Sequence, residues 1–173
     1  EEALDVFEKV TDAAAAVGVR IPRLCYLKDI NEIAACRVCL VEVDGHERLL
    51  TSCNNTVTEG MVIHTNSPRV RQARRTNVQL ILSQHDCRCA VCVRSGNCSL
   101  QQLANDMGCI GNPYGEKPET SGWNMDFPLI RDNAKCIKCM RCVAICDKVQ
   151  HCGVWDFTGA GPSMKVIVRD NLP

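Results

Sequence analysis

Apolar residues along this chain fall at helical spacing in two stretches and at strand spacing in several shorter ones. After Ser67-Pro68, a cap followed by a first-turn proline, Val70, Ala73, Val78, Ile81 and Leu82 line one stripe of a helix predicted to run to Gln84. Leu100, Leu103, Ala104 and Met107 repeat that spacing, and Gly108 stands where such a helix ends. A short helix is expected through Ala13 to Ala16, capped by Thr11 or Asp12 and stopped by Gly18. Arg37 to Val43 alternates and is rich in Val. Asp44-Gly45 is a two-residue hairpin signal, so Glu47 to Thr51 is expected to return as the partner strand. Further strands are expected at Gly60 to Thr65, Leu129 to Arg131 and Met164 to Val168. Asn112 to Phe127, with Pro113, Gly115, Pro118 and Gly122, reads as an irregular connection. The first 66 residues look like a small mixed sheet with one helix, and the fold class is α+β.

Composition narrows the function classes. Lys plus Arg and Asp plus Glu balance at 20 each, so no global field favours nucleic acid or a membrane surface. No apolar run approaches the roughly 20 residues of a membrane-spanning helix, and Glu1 to Val10 lacks the pattern of a signal peptide. With 46% apolar residues but only 4% aromatics, the core is modest and needs other cross-links.

Cysteine supplies them. The chain has 14, and 11 fall into three sets, the second opened by a histidine. The first set is Cys25, Cys36, Cys39 and Cys53; the second is His85, Cys89, Cys92 and Cys98; the third is Cys136, Cys139, Cys142 and Cys146. Cys87, Cys109 and Cys152 are left over. Cysteines separated by two residues suit a shared metal centre better than long-range disulfides, which points to a reducing, cytoplasmic compartment. Each set can supply the four thiolate or imidazole ligands of a 2Fe-2S or 4Fe-4S cluster. The sets differ in spacing, so they are not repeats of one unit.

In the first set, Cys25, Cys36 and Cys39 approach a plant-type 2Fe-2S loop, with ten residues where that pattern has four. Ala34-Ala35 and the hairpin beyond Cys39 would bring backbone amides onto the sulfurs. Zinc accepts the same four thiolates and is the alternative. In the second set His85 is the preferred fourth ligand, with Cys87 as its competitor and a helix-capping role as the plainer reading. The third set, C-x2-C-x2-C-x3-C, fits one corner of a cubane cluster. In bacterial ferredoxins the last cysteine of such a run serves a second cluster, and here Asp147 follows where proline is usual, so either assignment of Cys146 stays open. Arg69, Arg71, Arg74 and Arg75 form a charge run of the kind usually found on a solvated helix face.

The segments Ile21 to Tyr26, Cys36 to Val43, His85 to Cys98 and Cys136 to Cys146 together resemble the amino-terminal region of NADH-linked, multi-cluster iron-only (FeFe) hydrogenases. They also resemble the large iron-sulfur subunit of respiratory NADH:quinone oxidoreductase. The resemblance implies a beta-grasp 2Fe-2S domain over residues 1–66 and a helical 4Fe-4S domain with one histidine and three cysteine ligands over 67–111. It further implies part of a ferredoxin-like 4Fe-4S module over 112–173. Cys146 to Gly153 looks more like the hydrogenase branch. Glu1 to Val10 matches poorly the hairpin that usually opens the family, and the later cysteine run and catalytic domain are absent, so the segment reads as part of a longer subunit.

The function expected from this is an electron relay within a cytoplasmic oxidoreductase, a hetero-oligomer with a flavin-bearing, NADH-linked subunit and a small 2Fe-2S subunit as candidate partners. A chain of this length has a radius of gyration of roughly 16 Å, which keeps three clusters within hopping range. No Gly-rich phosphate fingerprint is present, so NADH and flavin are expected elsewhere, and no residue here is assigned a catalytic role. The rivals are a relay of the respiratory quinone reductase or of an NAD-dependent formate dehydrogenase, and a zinc-stabilised interaction module.

Overall fold

The computed structural model describes residues 9–118 and 131–169. Helix α1 (Val10–Ala16) starts two or three residues earlier than expected: Lys9 takes the cap position with extended backbone, which places Val10 and Thr11 inside the helix and buried. Gly18 ends it in the left-handed region at φ 79°, where a side chain would be strained.

Strand β1 (Leu40–Val43) is the centre of a three-stranded sheet, flanked by β2 (Leu50–Thr51) and β3 (Ile63–His64). Both pairings are antiparallel, so among the described residues this sheet is not mixed. The expected hairpin is also looser than a two-residue turn. His46 N donates to Val43 O at 3.1 Å with Gly45 at φ 79°, but the strands join only at Val41 opposite Leu50 and Leu40 opposite Thr51. The return path carries two extra residues, while on its other edge Val43 pairs with Ile63. Strand β1 begins at Leu40 rather than Arg37, since the chain at Arg37 (φ 52°) is still curling around Cys36.

Helix α2 (Pro68–Leu82) follows the expected cap: Ser67 Oγ accepts from Val70 N at 3.2 Å. It lies on β1 and against α3 (Ser99–Asp106), whose Leu100 and Leu103 are buried. Helix α4 (Arg141–Lys148) and strand β4 (Trp155–Thr158) had no sequence counterpart above. β4 pairs antiparallel with β5 (Lys165–Val168), from Trp155 opposite Val168 to Thr158 opposite Lys165. Of the expected Leu129 to Arg131 strand, residues 129 and 130 lie outside the described residues and Arg131 is not in a strand. The connection from Asn112 is irregular as far as 118; residues 119–127 lie outside the described residues, as do 1–8.

Two apolar clusters hold the molecule together. Val10, Ile21, Tyr26, Val41 and Val43 form one together with the fully buried Cys39 and Cys53. The other joins Leu24, Val38, Val78, Leu100 and Leu103 to Cys25 and Cys36, with Cys98, Cys109, Ile137 and Cys139 packed on it. Members of all three ligand sets therefore meet in one core.

Candidate iron-sulfur centres

The first set lies in the loops around β1 and β2, and its four thiols are all buried. Their sulfurs are strung as a chain from Cys36 to Cys25 to Cys53 to Cys39. Thiol donation from Cys36 and then Cys53 pulls the Cys25 pKa down to about 2, and donation from Cys53 pulls Cys39 down to about 6. The donors go the other way: Cys36 is raised through its bond to Cys25, and Cys53 through its bonds to Cys25 and Cys39. Without a metal, four thiols this close share protons, because like charges in a low-dielectric site cannot all form. Backbone amides converge on the same sulfurs. Cys36 N donates to Cys25 Sγ at 3.5 Å, and the amides of Ala35 and Val38 favour the ionised forms of Cys25 and Cys36. Left-handed backbone at Ala34 (φ 54°) and Arg37 (φ 52°) turns these amides inward. The Ser52 hydroxyl lies beside Cys39, fully buried, but reaches no partner in good hydrogen-bond geometry.

The second set surrounds a cavity of about 320 Å³ between the end of α2 and the face of α3. His85, Cys89, Cys92 and Cys98 all line it, and so do the leftover Cys87 and Cys109. His85 continues the end of α2, its amide donating to Leu82 O at 3.1 Å. Burial, and then the nearby Lys135 ammonium, lower its pKa, so the ring is neutral and its Nδ1 is buried without a partner. Cys87 is differently employed. Its thiol donates to His85 O at 3.3 Å and Leu82 O at 3.7 Å, closing the carbonyl end of α2, and burial raises its pKa. The residue between them, Asp86, ties this loop to the third set: its amide donates to Ala134 O at 2.8 Å and its carboxylate pairs with Lys135 at 3.0 Å.

The third set wraps around the start of α4. Lys138 (φ 55°) and Met140 (φ 64°) flank Cys139 in left-handed backbone, and Lys138 N donates to Cys136 Sγ at 3.4 Å. Cys142 is exposed as a residue, yet its thiol is raised first by burial and further by neighbouring Cys139 and Cys136. Cys146 is set apart. It is buried one turn along α4, its Sγ accepting from Val154 N at 3.2 Å as the chain enters β4. Cys152 is exposed, its thiol donating to Gln150 O at 3.3 Å.

The donor sets fit iron-sulfur groups on two observations. The first site carries backbone amides aimed at sulfur, and the second leaves a neutral imidazole nitrogen buried and unspent beside three cysteines. Among the described residues no three His, Cys, Asp or Glu side chains gather around a single-ion position. Sequence reasoning missed two residues that shape these sites. Arg74 is buried and donates to Leu40 O rather than lying on a solvated face, and Asn31 bridges the first and third sets. Asn31 carries no local sequence signal; the signal for Arg74 is its place four residues after Val70, on the same helix face. No helix among the described residues is long and apolar enough to cross a membrane.

Comparison with known proteins finds iron-sulfur families over two stretches of the chain. Residues 7–68 match the family described as "2Fe-2S iron-sulfur cluster binding domain", and residues 74–110 the "NADH-ubiquinone oxidoreductase-G iron-sulfur binding region". The chain is 46% identical over 159 residues to the NADP-reducing hydrogenase subunit HndD of Solidesulfovibrio fructosivorans, covering 88% of this chain and 27% of that protein. It is 34% identical over 165 residues to the NADPH-Fe(3+) oxidoreductase subunit alpha of Geobacter sulfurreducens, covering 95% of this chain and 20% of that one. To the mitochondrial NADH-ubiquinone oxidoreductase 78 kDa subunit of Candida albicans it is 31% identical, covering 94% of this chain and 23% of that subunit. The chain thus spans about a quarter or less of the curated relatives it matches. A crystal structure of an NAD+-reducing [NiFe]-hydrogenase in the H2-reduced state shares the fold, with a TM-score of 0.86 over 98% of this chain and 71% of that one, at 24% identity.

Proposed function

From the premise that this chain carries a 2Fe-2S domain followed by a 4Fe-4S region, and is homologous to iron-sulfur subunits of NAD(P)-linked hydrogenases and NADH-quinone oxidoreductases, we propose that it is an electron relay. It takes electrons from a flavin-bearing, NADH-linked partner and passes them to a hydrogen-activating domain outside residues 1–173. The observation that carries this reading is the shared core in which Cys25 and Cys36 of the first set, Cys98 of the second and Cys139 of the third are packed. Bound clusters supply reversible one-electron chemistry; the chain's residues hold them close, exclude water and donate hydrogen bonds to sulfur.

In this reading Cys25, Cys36, Cys39 and Cys53 hold a 2Fe-2S group on a beta-grasp domain, residues 1–66. The chain-like order of the four thiols suits two metal positions better than the single tetrahedral point that zinc requires. His85, Cys89, Cys92 and Cys98 hold a 4Fe-4S group within residues 67–111. Cys87 is not a ligand, because its thiol is spent on the carbonyls of α2. Cys136, Cys139 and Cys142 serve a third site, in a ferredoxin-like module over 112–173. Cys146, apart from them beneath β4, serves another centre. The partners make this part of a cytoplasmic hetero-oligomer.

The 46% identity to a hydrogenase subunit, against 31% and 34% to the other relatives compared, supports the hydrogenase branch. The fold does not separate the two kinds of hydrogen-activating site, since the solved neighbour is a [NiFe] enzyme. The respiratory quinone reductase is the second reading, favoured by the family of residues 74–110. Iron and sulfide analysis of anaerobically prepared protein, with electron paramagnetic resonance after reduction, tests the relay. Separate 2Fe-2S and 4Fe-4S signals are expected; a colourless, iron-free preparation would overturn it.

A further inference from the structure

Helix α2 buries Val70, Arg74 and Val78, one residue per turn along a single face, and the middle of that stripe is a cation. Arg74 is only 4% exposed, and its Nε and Nη2 both donate to Leu40 O, at 3.1 and 2.6 Å. Its neighbours on the same helix behave as a charge run ordinarily does: Arg69 pairs with Glu42, and Arg71 reaches Asn66 O, both at the surface. Among the described residues Arg74 has no carboxylate partner. A buried guanidinium with no opposite charge is costly, and replacing it by an apolar side chain would ordinarily be favourable. Something at this position must repay the desolvation.

The carbonyl that Arg74 grips belongs to the residue directly after Cys39, and Cys39 is itself fully buried. Burial lowers the arginine pKa to about 10, and the only influence opposing that fall is the charge of Cys39. The side chain is therefore still a cation at neutral pH, held on the carbonyl of the residue that follows Cys39.

We propose that Arg74 is the counter-ion of the first cysteine set, a fixed buried positive charge that raises the reduction potential of the 2Fe-2S group those cysteines hold. This rests on the relay reading of that set. Reduction adds one electron, supplied by the flavin-bearing donor or by dithionite in a test, with no bond formed or broken. The site becomes more negative by one charge, and a nearby cation in a low-dielectric setting favours that form. Arg74 is a positioning and tuning residue; it holds no metal itself.

The test is a redox titration of the 2Fe-2S electron paramagnetic resonance signal in the intact, cluster-loaded protein. Arg74→Gln keeps an amide donor for Leu40 O but loses the charge, and Arg74→Lys keeps the charge. The Gln variant should need a lower potential, with the reduced-to-oxidised ratio at fixed poise falling about tenfold, a shift of 59 mV for one electron. Arg74→Lys and the surface control Arg69→Gln should titrate close to wild type. An unmoved potential in Arg74→Gln with its signal intact overturns the inference, whereas absence of any 2Fe-2S signal in wild type overturns the relay reading instead. If Arg74→Gln does not load, the neutral isostere citrulline at position 74 gives the same comparison, and a wild-type potential there overturns the inference. Loss of the signal from both neutral forms with its retention in Arg74→Lys supports the counter-ion role. Loss from Arg74→Lys as well assigns Arg74 to holding α2 on β1 and overturns it.

Discussion

The side-chain amide of Asn31 donates to the backbone carbonyl of Cys139 at 2.9 Å, joining two loops 108 residues apart in the chain. The same Nδ2 donates to Cys25 O at 2.8 Å, so one buried group ties the first ligand loop to the third. Arg141, the first residue of α4, reinforces the joint from the other side by donating to Cys25 O and Tyr26 O at 3.1 and 2.8 Å. Distances between redox centres are set by such joints, because the loops that carry the thiols have little secondary structure of their own.

Replacing Asn31 by Ala should loosen that joint. Cys25 O keeps Arg141 as a partner, but the half-buried Cys139 O loses the one side-chain donor it has among the described residues. A loss of about 1–3 kcal/mol is expected from an unsatisfied group of this kind. Denaturant unfolding of wild type and Asn31→Ala, followed by visible absorption, measures it; equal midpoints would show that the bridge is dispensable.

The helices were legible because their cues are local. The stripe Val70, Val78, Ile81 and Leu82 and the Ser67-Pro68 cap lie within one window, and α2 follows them. The spacings within the cysteine sets are legible for the same reason. Asn31 was not, since a buried bridging amide has no period and its partner is far along the chain. Arg74 was read with its charged neighbours as solvated, although its position four residues after Val70 places it on the buried face. Helix α4 was hidden because Cys142 and Cys146, four residues apart on it, were read as ligands rather than as helix positions. The roles of Cys87 and His85 depend on where the last carbonyls of α2 point, which spacing alone does not give.

Asp86 should act as a charged clamp between the second and third sets. Arg88, then Lys135, hold its carboxyl well below the ordinary carboxylate range. A depressed carboxyl pKa stabilises the fold above the unfolded value, near 3.9, and that contribution is lost only as pH falls below it. Asp86→Asn should therefore lower stability by an amount that stays constant between about pH 5 and 8. Denaturation midpoints across that range check it, and a difference that fades toward pH 5 would contradict the assignment.

The third set makes a countable prediction. Cys139→Ser should remove the iron of one cluster while sparing the 2Fe-2S signal, because the first set has four thiols of its own in Cys25, Cys36, Cys39 and Cys53, all buried around β1 and β2. Cys146→Ser should leave that same cluster's iron in place if Cys146 serves a different centre, as its separate bond from Val154 N indicates. Iron analysis of the two variants distinguishes them; equal loss of iron from both would put Cys146 in the same site.

His85 and Cys87 offer the sharpest contrast, because they are two residues apart and line the same cavity. Cys87 has a hydrogen to give and gives it to Leu82 O and His85 O, whereas His85 has a neutral ring whose Nδ1 has no partner. Cys87→Ser should thus retain the second cluster's iron, since a hydroxyl can donate to the same carbonyls. His85→Cys should also retain it, but with a fourth anionic thiolate in place of a neutral imidazole. Two histidines raise Rieske centres by several hundred millivolts above plant-type ferredoxins, so one such exchange should lower the potential by about 100 mV or more. Redox titration of the 4Fe-4S signal measures it. A full iron count with an unmoved potential in His85→Cys, together with loss of iron in Cys87→Ser, would exchange the two roles and make Cys87 the ligand.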